Sequence, residues 1–118
     1  MKLRIQGNTL RLRLSKTDVE TFAENGLVKE HIEFGSNSLT YLIETSSGNE
    51  VTALYEMNTI RIGVPESIKN KWTTTDQVGF DAVVKHGDQK LDVLIEKDFQ
   101  CLVPRKEDES DLYANPRA

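Results

Sequence analysis

The stretch KLRIQGNTLRLRL, residues 2–14, decides how the chain is read. Leu3 and Ile5 alternate with Lys2, Arg4 and Gln6 before Gly7-Asn8; Leu10, Leu12 and Leu14 alternate with Arg11 and Arg13 after it. Strict alternation marks a half-buried strand, and Gly-Asn is a two-residue hairpin turn. A turn of that length sets the register, with Ile5 opposite Leu10, Arg4 opposite Arg11 and Lys2 opposite Arg13. Four cations then share one face in opposed pairs. Like charges directly opposite one another repel, so the face needs negative charge beside it.

Working outward, Ser15 suits an N-cap, with Asp18 accepting back in a capping box and Leu14 and Val19 placed as a hydrophobic staple. Asn25-Gly26 ends this first helix. Val28 to Phe34 alternates as a third strand, and Gly35 to Ser38 is a turn. Leu39–Thr45 and Val51–Met57 read as a hairpin joined by Ser46–Glu50, followed by a strand from Thr59 to Val64. Pro65 is a good first helical residue, opening a helix with Ile68 and Trp72 on one face. Val78–Lys85 and Lys90–Phe99 form a last hairpin around His86–Gln89.

An internal repeat runs through this order. Asn8–Leu14 matches Asn58–Val64, and each segment leads into a helix carrying an aromatic, Phe22 or Trp72. Leu39–Ile43 lines up with Phe80–Val84, and Val51–Glu56 with Leu91–Glu96. On that alignment the extra apolar residues Leu42 and Leu54 match Val83 and Leu94. Each half is expected to be a strand–helix–hairpin unit, with Val28–Phe34 inserted in the first. From Pro104 the composition turns to charge: residues 105–111 read RKEDESD, and Leu112 and Tyr113 come next. The expected organisation is one domain over residues 1–103 and an acidic tail over 104–118, docked by Leu112 and Tyr113.

A chain of 118 residues is about one domain. A net charge of -4 and a pI near 5.2 speak against nucleic acid, whose binding domains are basic. A single cysteine leaves no intramolecular disulfide and suits a reducing cytoplasm. The N-terminus has no apolar signal core, and no run approaches the roughly 18 apolar residues of a membrane span. A cytoplasmic protein, away from the membrane, is expected.

Few residues invite chemistry. Cys101 as a nucleophile would need a histidine in reach, and His31 and His86 lie on a strand and in a turn. A buried structural thiol is the simpler reading. Two histidines and one cysteine, widely spaced, make no metal-ligand pattern, and no phosphate loop or nucleotide fingerprint is present, so no metal or cofactor is expected. The unusual constellation is the basic ladder Lys2, Arg4, Arg11 and Arg13, with Arg61 as the repeat partner of Arg11. Asp92, Glu96 and Asp98 on the last strand, Glu44 and Glu56, and the tail acids Glu107, Asp108, Glu109 and Asp111 are candidate counter-charges. Guanidinium forks left over from such pairing would grip phosphate or carboxylate.

The opening KLRIQGNTLRLRLSKTDV, with IEKDFQCL and the DESDLYANP tail, resembles a family of small bacterial proteins that form a domain of unknown function, over essentially the whole chain. That resemblance implies no activity. IRIGVPESIKNKW, strand–Pro–helix, resembles the core of swapped-hairpin transition-state regulators that bind DNA, over that segment alone.

These readings converge on an α+β fold, mainly antiparallel strands in one curved sheet or open barrel, with two short helices. The expected function is a small non-enzymatic binding module. Its partner is a protein met through Leu42, Leu54, Val83 and Leu94, or a small anion met through Lys2, Arg4, Arg11, Arg13 and Arg61; a homo-oligomer is compatible with either. The alternatives are a small enzyme using Cys101 or a carboxylate pair, and a DNA-binding regulator, which the acidic pI disfavours.

Overall fold

Residues 2–14 fold as their alternation predicts. In the computed structural model, which describes residues 1–99, β1 (Lys2–Gln6) and β2 (Thr9–Leu14) pair antiparallel, with Lys2 opposite Arg13, Arg4 opposite Arg11 and Ile5 opposite Leu10. Cys101, the domain boundary expected at 103 and the 104–118 tail with Leu112 and Tyr113 lie outside the described residues. Helix α1 (Lys16–Asn25) opens with the expected capping box: Ser15 Oγ accepts from Asp18 N, and Asp18 Oδ2 accepts from Ser15 N, each at 3.1 Å. It closes at Gly26, whose φ of 70° is the left-handed cap that glycine adopts without a Cβ penalty.

The remaining elements are β3 (Leu27–Glu33), β4 (Ser38–Ser46), β5 (Thr52–Glu56), β6 (Thr59–Pro65), α2 (Glu66–Thr74), β7 (Gly79–His86) and β8 (Gln89–Lys97). Pro65 is the N-cap of α2 and not its first helical residue. Its parallel pairing with Ser46 keeps it extended, at ψ 146°. The fold is α+β and mostly sheet, with two helices. Instead of one curved sheet, the described strands form two four-stranded mixed sheets, ordered β1-β2-β8-β7 and β3-β4-β6-β5. Each has a parallel pair at its centre, β2 with β8 and β4 with β6, and antiparallel strands at its edges.

The two sheets are copies of one plan. Strands β1 and β2 stand in the first sheet as β5 and β6 stand in the second, and β7 and β8 as β3 and β4. The repeat is therefore hairpin–helix–hairpin, and each half gives one hairpin to each sheet. Hydrogen bonds outside the ladders repeat with it. Asp92 N donates to Asn8 O and Thr40 N to Asn58 O; Lys97 N donates to Val78 O and Thr45 N to Gly26 O. This corrects the alignment read from the sequence. Strand β3 is the counterpart of β7, not an insertion, and β4 corresponds to β8. Leu42 therefore matches Leu94, not Val83. Strands β4 and β5 are no hairpin, because β6 lies between them. Short alternating strands resemble one another whatever their partners, so pattern matching paired the wrong ones.

One core holds the sheets and helices together. Leu10, Leu12, Leu14, Val93 and Ile95 from the first sheet meet Val28, Ile43, Ile62 and Val64 from the second. The helix aromatics close one end: Phe22 and Trp72, both fully buried, meet edge-on at 6.4 Å, and Trp72 meets Phe80 at 5.4 Å. The indole Nε1 donates to Val78 O at 3.1 Å, which satisfies the polar end of an otherwise apolar side chain.

Candidate anion-binding face

Side chains alternate along β1, β2 and β8, so Lys2, Arg4, Arg11, Arg13, Leu94 and Glu96 share the outer face of the first sheet. The parallel register sets Leu94 beside Arg11 and Glu96 beside Arg13. Glu96 Oε1 lies 3.1 Å from Arg11 Nε and 3.8 Å from Arg13 Nε, so one carboxylate serves two guanidinium groups. Neither contact has hydrogen-bond geometry: Glu96 Oε1 is buried without a hydrogen bond, and both arginines approach it through Nε. Lys2 Nζ meets Asp98 Oδ2 at 2.8 Å. Arg4 has no ion pair among the described residues. Asp92, expected as a counter-charge, stands beside Thr9 in register and pairs with none of the ladder.

The second sheet shows what the fold itself requires at these positions. Arg61 is the counterpart of Arg11, and Glu44 of Glu96. There, one arginine meets one glutamate: Arg61 Nη1 donates to both Oε1 and Oε2 of Glu44, each at 3.0 Å. The counterparts of Lys2, Arg4 and Arg13 are the uncharged Thr52, Leu54 and Gly63. A Cβ at Gly63 would meet Thr52 Oγ1, so a longer side chain there requires Thr52 to turn aside. At these four positions the same architecture thus stands with one cation, Arg61, where the first sheet carries four.

The candidate residues divide between the two outer faces. Lys2, Arg4, Arg11 and Arg13 come together, with Leu94 and Val83 on the same face. Arg61 lies on the other sheet, with Leu42 and Leu54. Leu42 is only 4% exposed, flanked in register by Lys29 and Arg61, while Leu54 and Val83 are exposed. The four apolar residues therefore do not form one surface.

Two features escape a reading of the sequence. The first is a groove of about 790 Å³ where the hairpin tips gather, lined by the counterpart pairs Ile5 and Tyr55, Leu10 and Ile60, and Leu39 and Leu91. Alternation places Ile5 inside, yet it is 60% exposed on this rim. The second is a half-buried polar cluster around Met1, Asp18, Glu30 and Tyr41. The Met1 ammonium meets Asp18 Oδ2 at 2.8 Å and also Glu30, and Tyr41 Oη donates to Met1 O at 3.1 Å. Burial pulls the ammonium's pKa down, but the bonds from Asp18 and Glu30 outweigh it and hold it above its usual 8.0. Burial pushes Asp18 up, but the ammonium and Ser15 outweigh it and hold the carboxyl below 3.8. Burial raises the Tyr41 hydroxyl, and the charges of Glu30 and Asp18 add to it. A glutamate on the inward side of a strand was the available signal for this cluster.

With this geometry in view, the chain matches, over residues 1–117, the model of a family described as "Family of unknown function (DUF7009)". The chain belongs to that family. No curated protein and no solved structure matches it. Membership agrees with the resemblance carried by the KLRIQGNTLRLRL opening and assigns no residue a role. Among the described residues, no three His, Cys, Asp or Glu side chains gather to hold a metal ion, and no helix is long and apolar enough to cross a membrane.

Proposed function

We propose that this family member is a small non-enzymatic binding module whose ligand is a multiply charged anion, phosphate or clustered carboxylates, held on the outer face of the first sheet. One observation carries the reading: Lys2, Arg4, Arg11 and Arg13 meet only two carboxylates in ion pairs among the described residues, Glu96 and Asp98, while the four equivalent positions of the second sheet hold one cation, Arg61, paired with Glu44. Arg11 and Arg13 approach Glu96 through Nε, which leaves planar N–H forks for a tetrahedral or carboxylate anion. Arg61 has no place in this site. Val83 and Leu94 on the same face suit a protein-borne anion, such as an acidic segment with an apolar neighbour, better than a free ion alone. The single cysteine supports a cytoplasmic setting.

Thermal melts in phosphate and pyrophosphate against chloride at equal ionic strength test the reading. The polyvalent anions should raise Tm, and the Arg11→Gln/Arg13→Gln variant should lose that rise while still folding. Equal effects of all anions on the wild type would overturn it.

A further inference from the structure

Strand β8 ends beside the ladder. Asp98 N donates to Leu14 O at 2.8 Å, and the Asp98 carboxylate reaches Lys2 at 2.8 Å. The chain therefore leaves the sheet at the end where Lys2 stands opposite Arg13. The C-terminal segment beyond that point carries the ladder's complement: residues 105–111 hold the acids Glu107, Asp108, Glu109 and Asp111 against the bases Arg105 and Lys106. That is two negative charges in excess, against a ladder whose four cations exceed by two the carboxylates they pair with among the described residues.

We propose that residues 107–111 of the same chain lie across Lys2, Arg4, Arg11 and Arg13 and occupy the anion-binding face in competition with external anions. The proposal rests on the reading of that face as an anion site and names its resident ligand. Reach is ample. The eight steps from Phe99 to Glu107 extend up to about 28 Å. The ladder, from Lys2 and Arg13 to Arg4 and Arg11, covers two residues of strand, about 7 Å. A tether that short keeps the acids at an effective concentration in the millimolar range, so weak, solvent-screened contacts suffice to fill the face. Closing so short a loop adds little entropy cost. An external anion then binds by displacement, and its apparent affinity falls with the fraction of chains whose face is open.

The test uses the full chain and the variant Glu107→Gln/Asp108→Asn/Glu109→Gln/Asp111→Asn. Arginine Nε–Hε NMR signals report the site directly. Neutralising the tail should move the signals of Arg4, Arg11 and Arg13 and leave Arg61 in place, and pyrophosphate should bind the variant roughly three- to tenfold more tightly. If the ladder signals move no more than that of Arg61, and pyrophosphate binds both proteins equally, the tail proposal is overturned and the anion reading stands. If pyrophosphate moves none of the ladder signals even in the variant, the anion reading falls and the tail proposal with it.

Discussion

Arg11 and Arg61 occupy the same place in two equivalent sheets, and each reaches a glutamate that is the counterpart of the other's. Arg61 holds Glu44 alone through two 3.0 Å hydrogen bonds, whereas Arg11 shares Glu96 with Arg13. One pair is closed and the other is left open. The difference comes from Gly63, which stands where the first sheet has Arg13.

Substitution should separate the two roles. Arg61→Gln removes both hydrogen bonds to a half-buried carboxylate and should cost about 1 kcal/mol, solvent screening included. Arg4→Gln removes a cation without an ion pair among the described residues and relieves its opposition to Arg11. It should leave stability unchanged or raise it by a few tenths of a kcal/mol, about the size of such repulsions. Urea denaturation of the two single variants measures both.

The aromatic contact between the helices should dominate core stability. Phe22→Ala empties a fully buried site against Trp72 and should cost about 3–5 kcal/mol. Trp72→Phe keeps an aromatic ring but removes one of the two donors to Val78 O, Lys97 N being the other, and the lost bond should cost about 0.5–1.5 kcal/mol. A double-mutant cycle on the pair should show coupling, because the rings touch.

The second hairpin turn carries a residue unsuited to its backbone. Met57 and Asn58 have φ of 51° and 57°, the left-handed region, and the Met57 side chain is 92% exposed, although Thr59 Oγ1 donates to Met57 O at 3.2 Å. Its counterpart is Gly7, at φ 54°. Met57→Gly should therefore stabilise the protein by about 0.5–1 kcal/mol, the left-handed penalty less the extra entropy of the unfolded glycine. A higher midpoint in chemical denaturation, with unchanged slope, is the expected result.

The Met1–Asp18 pair should make stability depend on pH in both directions. Asp18 titrates below its usual 3.8 when folded, so its contribution is complete above that value and is lost as pH falls through the folded pKa. The Met1 ammonium titrates above 8.0 when folded, so its contribution is complete below 8.0 and is lost as pH rises through the folded pKa. Asp18→Asn should flatten the acid limb and lower the amino group's pKa, read from the pH dependence of its acetylation rate. An amino pKa unchanged by the substitution would show that Glu30 alone sets it.

Local features of this protein were legible in its sequence. The two-residue turn at Gly7-Asn8 dictates the register of the first hairpin, Ser15 and Asp18 spell out the helix start, and the match of Asn8–Leu14 with Asn58–Val64 reveals the repeat. All depend on residues a few positions apart or on direct comparison of segments. The opposition of Arg4 to Arg11 and of Lys2 to Arg13 comes from the same turn, which is why the ladder could be read in advance.

Which hairpin joins which sheet was decided only by tertiary structure. The parallel pairings of β2 with β8 and β4 with β6 are long-range, and alternation marks a strand's buried face without naming its neighbour. The neighbour determines the electrostatics: Glu96 stands between Arg11 and Arg13 only because β8 lies against β2, and Leu42 is covered because β3 and β6 bring Lys29 and Arg61 to either side of it. Hydrogen-bonded ladders are alike for every strand. The choice among them rests on how the whole set of apolar faces, Phe22 and Trp72 included, can be buried at once.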